Sequence, residues 1–300
     1  MEQESKGKIE LIIAMILSGT IGVFVLESGQ PSYNAVFFRC LFGAICLIGF
    51  CWHKGYLNFS QLSKKSFVLI LVGGVAIVLN WVLLFESYSH ASISISTVAY
   101  HTQPMFVVIF AAFFLGEKLL AHKFFWIALA FSGVILIVNP TDSTVNQEGM
   151  IYGLMLAISA AILYAIATLI IKQLSGIKPH FIAALQISLG VFLLLPFVDM
   201  SAVPATGSHW NWLIGLGVIH TCIMYILLYS SFQKLPTSSI AVLSYIYPVV
   251  AIIFDYVIYD QSLSVVQFIG IAMIIIAGLG NNMNINVFAP FIRNKRQPSI

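Results

Sequence analysis

Ten apolar runs follow one another along the chain, separated by short polar breaks, near residues 9–26, 33–52, 67–85, 93–115, 122–139, 149–171, 179–198, 211–233, 237–259 and 264–284. About 20 mainly apolar residues are needed for a helix to cross the hydrocarbon core of a bilayer. A chain built almost wholly from such runs has no polar surface with which to face water. Its charge content agrees: only 8% of the residues are charged and 60% are hydrophobic, whereas soluble domains carry roughly 25% charged residues. The mean hydropathy is +0.97. The expected fold class is an all-α integral membrane protein with ten transmembrane helices.

The basic residues orient these spans. Lys6 and Lys8 precede span one, Lys54, Lys64 and Lys65 lie between spans two and three, and Lys118 and Lys123 follow span four. Lys172 and Lys178 follow span six, Lys234 follows span eight, and Arg293, Lys295 and Arg296 end the chain. Thirteen of the 14 Lys and Arg residues therefore share one side, while Glu27, Asp142, Glu148, Asp199 and Asp260 fall on the other. Cytoplasmic loops carry the excess of Lys and Arg, which places both termini in the cytoplasm. The first run, after an opening of mixed charge and with no small-residue cleavage signal, reads as a retained span rather than a signal peptide.

A shift of 144 residues superposes WVLLFESYSHASISISTVAYHTQPMF, from Trp81, on YILLYSSFQKLPTSSIAVLSYIYPVV, from Tyr225, without a gap. Ser87 meets Ser231, Ser94 meets Ser238, Val98 meets Val242 and Pro104 meets Pro248. The shift carries span three onto span eight and span four onto span nine. Five is odd, so the halves cross the membrane in opposite senses: residues 1–140 and 149–284, with 285–300 as a basic cytoplasmic tail. Inverted repeats of this kind occur in many secondary transporters, with the solute near the bilayer midplane where the repeats meet.

On these segments, STVAYHTQPMFVVIFAAFFLGEKL and SSIAVLSYIYPVVAIIFDYVIYDQSL, the whole chain resembles the drug/metabolite transporter superfamily, EamA type. The resemblance rests on small residues, then a mid-helix proline, then an apolar run ending in Gly-Glu, here Pro104 with Gly116 and Glu117. The second half keeps Pro248 but has Asp260 and Gln261 in place of Gly-Glu, and the first helix has SGTIG, from Ser18, where the family usually has a tryptophan. The resemblance implies a multi-pass protein of the bacterial inner membrane that exports or exchanges amino acids, metabolites or xenobiotics by alternating access, with or without a coupled proton, as a monomer or weak homodimer. It implies no cofactor.

Polar residues are costly within a bilayer and need a partner or a wet cavity. Arg39, the one basic residue outside the cytoplasmic set, resembles the family's second-helix arginine. It is read either as a partner of a substrate anion or gate residue, or as a structural pair of Glu86 or Glu27. His101, beside Tyr100 and Gln103 and one turn from Pro104, has Tyr245 as its repeat mate, near Ser244, Tyr247 and Pro248. A proline removes one helical hydrogen bond, and the freed backbone must be satisfied by neighbours, water or solute. His101 is therefore a candidate for the transport pathway, with packing as the alternative; an ordinary imidazole would also suit proton coupling. Asn80, Trp81, Tyr164, His220 and Tyr225 lie at similar depths and complete a candidate lining of polar and aromatic groups. Glu86 and Asp255 lie near outer helix ends, where solvation or a coupling role explains each, and Glu117 is a candidate inner helix-end or gate contact.

Other classes fit poorly. No HExxH or GxSxG pattern has the context of an intramembrane enzyme, no soluble signalling domain lies between spans, and no Walker-type phosphate loop is present. No dense basic stripe suggests nucleic acid. Cys40, Cys46, Cys51 and Cys222 lack metal-ligand spacing and read as buried thiols.

Overall fold

The computed structural model describes residues 2–116, 121–138, 147–171, 173–174, 176–235, 239–240 and 243–287. Among them all regular structure is helical. In chain order the α-helices are α1 (Glu2–Glu27), α2 (Ser32–His53), α3 (Lys64–Ala91), α4 (Ile93–Tyr100), α5 (Gln103–Leu115) and α6 (Ala121–Val138). They continue with α7 (Gln147–Ile171), α8 (Pro179–Leu194), α9 (His209–Gly217), α10 (Met224–Phe232), α11 (Ile246–Tyr259) and α12 (Val265–Asn282). A π-helical turn over Val218–Ile223 joins α9 to α10.

Among the described residues, eight rods are long and apolar enough to cross a membrane, counting α4 with α5 as one and α9 with α10 as another. Two further apolar helices, Ala121–Leu136 and Ile246–Tyr259, are shorter. They lie at the expected spans 122–139 and 237–259, where residues 139, 237–238 and 241–242 lie outside the described set, as does residue 117–120 and most of the tail.

Local chemistry sets the helix ends. Ser63 caps α3 by accepting the Ser66 N–H at 3.0 Å. Ser264 caps α12 in a reciprocal box with Gln267, the side chain of each accepting the other's N–H. Between α3 and α4 the chain reverses through Ser92, whose φ of 66° is unusual for a residue with a Cβ and carries strain of order 1–3 kcal/mol. At the end of α5, Gly116 adopts a left-handed C-cap with φ 66°. Asp260, 144 residues on, ends α11 with φ 52°. Aspartate is among the few side chains that tolerate this conformation, which accounts physically for Asp where the first half has Gly.

The same spacing recurs in the helix breaks. His101 interrupts α4–α5 with φ −67° and ψ 0°, and Tyr245 precedes α11 with φ −76° and ψ −4°. It recurs again in packing. α2 packs on α8 and α9, and α3 packs on α7 and α8. A Cβ added at Gly217 would collide with Phe42, and one added at Gly73 would lie 2.9 Å from Gln186 Nε2. Gly73 and Gly217 are 144 apart, as are Phe42 and Gln186. Without a hydrophobic difference between lipid and side chain, close packing of small residues is what holds such helices together.

This packing yields a prediction. Gly217→Ala lowers the thermal unfolding midpoint in detergent by the equivalent of about 1–3 kcal/mol, the usual cost of overpacking. Gly49→Ala, with nothing beyond its own stretch of helix within 4 Å of the new methyl, does not lower it and raises it by the equivalent of up to about 1 kcal/mol through helix propensity. Equal midpoints for the two variants contradict the packing described.

Candidate functional site

The helix breaks bring residues of both halves together. The His101 ring lies 5.4 Å from Tyr245 and 5.0 Å from Tyr247, centroid to centroid. His101 is buried, and its Nε2 has no hydrogen-bond partner among the described residues, nor have Tyr245 Oη and Gln103 Oε1. Pro104 sits in the first turn of α5, where its missing N–H costs no helical bond. Pro248 takes the matching place in the first turn of α11 and is buried. Thr102 Oγ1 donates to the Ala99 carbonyl at 2.7 Å, satisfying part of the interrupted backbone. Ser244 lies in the turn before Tyr245, its N–H bonded to the Ile240 carbonyl at 3.0 Å. Tyr245 reaches α12, where its hydroxyl fills the notch left by Gly278.

Beside this cluster, Asn80 Nδ2 donates to the Ala160 carbonyl at 2.6 Å and to Tyr100 Oη at 3.2 Å. Tyr100 lies edge-on to Tyr164 at 5.9 Å, and Tyr225 is tilted against Tyr229 at 5.7 Å. Trp81 carries the guanidinium of Arg39, whose Cζ is 4.1 Å from the indole centroid and 5.6 Å from that of Phe85.

Arg39 differs from one of its two sequence readings. It pairs with neither Glu86 nor Glu27, and no salt bridge involves it among the described residues. Its Nε donates to Thr221 Oγ1 at 3.0 Å and its Nη2 to the His220 carbonyl at 3.3 Å. Only 2% of Arg39 is exposed. Cation–π contact contributes about 0.5–2 kcal/mol, less than the several kcal/mol that burying an unpaired ion costs.

His220 is tied away from His101. Its Nε2 lies 2.9 Å from Thr20 Oγ1 and its Nδ1 3.2 Å from the Gly215 carbonyl. At the π-helical turn, side chains add to the backbone bonding: besides His220 Nδ1 at the Gly215 carbonyl, Thr221 Oγ1 donates to the Leu216 carbonyl at 2.9 Å. The small residues of SGTIG explain why α1 comes so close: Gly19 abuts Val250 of α11, and Gly22 abuts Ile93 of α4.

The acidic residues part company. Glu86 is half-exposed and accepts from Ser32 Oγ at 2.6 Å. Asp255, expected near solvent, is instead buried, and its Oδ2 accepts the Ser94 N–H at 2.8 Å, capping α4 and tying it to α11. Glu27 Oε1 accepts from Tyr259 Oη at 3.0 Å, joining α1 to α11. Glu117 lies outside the described residues.

One ion pair escaped the sequence reading. Lys234 Nζ lies 2.6 Å from both carboxylate oxygens of Glu10 and 2.8 Å from Ser230 Oγ. Lys234 counted in the sequence only as a topology marker. Its repeat mate is His90, so the 144-residue shift carried no signal of a carboxylate partner.

A bundle of apolar helices, broken at its centre around unpartnered polar groups, is a membrane-transport architecture, and comparison with known proteins agrees. The EamA-like transporter family model matches the chain twice, over residues 5–139 and 151–283, and the chain belongs to that family. It is 35% identical over 276 residues to the uncharacterized transporter YxxF of Bacillus subtilis, covering 91% of this chain and 88% of the relative. It is 27% identical to the pseudopaline exporter CntI of Pseudomonas aeruginosa, covering 80% and 84% of the two chains. It is 25% identical to an S-adenosylmethionine uptake transporter of Rickettsia felis, covering 77% and 76%. A crystal structure superposes with a TM-score of 0.63 at 16% identity, over 98% of this chain and 99% of that one, and shares the fold. The protein is thus a multi-pass membrane transporter of small solutes.

The buried cap yields a second prediction. Asp255→Ala leaves the Ser94 N–H unpaired and lowers stability by about 1–2 kcal/mol, read as a lower unfolding midpoint in detergent. Asp255→Asn, which keeps an acceptor oxygen, recovers part of the loss. A wild-type midpoint for Asp255→Ala contradicts the cap.

Proposed function

We propose that the chain is a secondary transporter that moves small organic solutes, such as amino acids or related metabolites, by alternating access. In this reading ten spans form two inverted five-helix halves, residues 1–140 and 149–284, with both termini in the cytoplasm of a bacterial inner membrane. The solute site lies where the broken helices of the halves meet. The observation that carries the reading is the apposition of the His101 ring with those of Tyr245 and Tyr247, because each half contributes a helix break there and a buried residue with an unpartnered polar atom. The repeated spacing of breaks, left-handed caps and glycine contacts supports inversion, since related halves can exchange conformations at similar energy.

Two cross-half ties suit the closures such a cycle needs. Asp255 with Ser94 joins α11 to α4 on the outer side, and Glu10 with Lys234 joins α1 to the end of α10 on the inner side. Relatives named for export and for uptake bracket the direction, and export or exchange is the reading favoured here. His101 is the candidate for a coupled proton.

In proteoliposomes tested against an amino-acid and metabolite panel, His101→Ala and Tyr245→Ala each reduce flux at least about tenfold, roughly 1.4 kcal/mol or more, with folded protein retained. Normal flux in both variants rejects the site. Wild-type flux that ignores an imposed pH gradient removes the proton while leaving alternating access in place.

A further inference from the structure

We infer that Arg39 is an anion subsite of the solute site, and that the solute presents a carboxylate beside a flat or apolar group. This rests on the transport reading above and adds the chemical class of the solute to it.

The geometry of the guanidinium carries the argument. Arginine offers five N–H donors in a rigid fork. Its side edge is occupied, Nε by Thr221 Oγ1 and Nη2 by the His220 carbonyl. Those contacts fix the plane of the group against the π-helical turn, while Trp81 lies across its face at 4.1 Å. The end edge, formed by Nη1 and the outer N–H of Nη2, makes no hydrogen bond to a described residue. That edge matches the two oxygens of a carboxylate, the arrangement that gives the strong bidentate pair.

Charge points the same way. Arg39 is buried at 2% exposure and has no carboxylate partner among the described residues. A buried cation favours a ligand that brings one negative charge. A phosphate brings closer to two against a single arginine, so a monocarboxylate is the better match. The subsite also belongs to one half alone, because position 183, its repeat mate, is Ala183. A solute bound here has a defined orientation.

The surroundings connect this subsite to the helix breaks. Asn80, which precedes Trp81 on α3, bonds Tyr100, which precedes His101 in the chain. Tyr225 and Tyr247 both lie within electrostatic reach of Arg39, and Tyr247 also faces His101. A carboxylate held by Arg39 therefore has the Trp81 and Phe85 rings beside it, and Tyr247 connects this neighbourhood to His101.

The test uses the purified full-length protein and matched neutral probes. Thermal unfolding in detergent is followed with propionate, phenylacetate and N-acetyl-leucine, each against its own amide, and with inorganic phosphate. At least one carboxylate stabilises the wild type at a concentration tenfold or more below that of its amide, and phosphate has no comparable effect. Arg39→Gln abolishes the difference; Arg39→Lys, keeping the charge without the fork, retains a smaller one. Equal responses to acid and amide, a stronger response to phosphate, or an undiminished preference in Arg39→Gln overturns the inference. If Arg39→Gln does not fold, the wild-type acid–amide comparison and Arg39→Lys decide. Flux separates the two readings: transport of neutral or cationic solutes in preference to carboxylates removes the anion subsite and leaves the transporter. Carboxylate-selective binding without flux of any bound acid supports the subsite and contradicts the transporter.

Discussion

Water is absent from the hydrocarbon core, so each backbone N–H and C=O there must find its partner inside the protein. Unbroken helices meet this demand residue by residue, and most of the chain obeys it. The departures are few and concentrated. The α4–α5 rod breaks at His101, a matching break precedes α11 at Tyr245, and a π-helical turn separates α9 from α10. At the first and the last of these, side chains add bonds to the local carbonyls: Thr102 returns to Ala99, His220 to Gly215 and Thr221 to Leu216. The polar residues with chemistry to offer gather around these same departures.

Charge follows from the same constraint. A buried ion in this setting persists through a partner or through a task. Asp255 has a helix N-terminus, Glu10 has Lys234, and Glu27 has the Tyr259 hydroxyl. These ties join segments from opposite ends of the sequence and hold the bundle across its two halves. Arg39 is built differently. Its neighbours orient it and shield its face, yet none neutralises it. Small residues make such placement affordable, since SGTIG lets α1 lie against α4 and α11, with Thr20 beside His220.

Much of this architecture was legible in the residues. Apolar runs located the helices, because length and hydropathy are one-dimensional properties. Pro104 and Pro248 marked the breaks, and the 144-residue shift paired His101 with Tyr245 before any contact was known. Facing was the information missing. In a helix that is apolar all round, no polar stripe tells which side meets protein and which meets lipid. Depth alone put His220 beside His101, whereas its ring turns to Thr20 and Gly215. Depth also put Asp255 near solvent, whereas a rotation about α11 buries it against α4. The Glu10–Lys234 pair joins residues 224 positions apart, and the repeat offers no mate to reveal it. Asp260 shows the opposite case: it looked like a lost motif and proved to keep the left-handed cap of Gly116.

The central claim is that one site, between two halves of opposite orientation, is reached from each side of the membrane in turn. A single cysteine at position 103, in a background with Cys40, Cys46, Cys51 and Cys222 replaced, tests it most directly. Labelling with a membrane-impermeant maleimide is measured in right-side-out and in inverted vesicles. The account predicts labelling from both sides, with a transported solute shifting the ratio between them. Labelling from one side only, whatever solute is present, would contradict it.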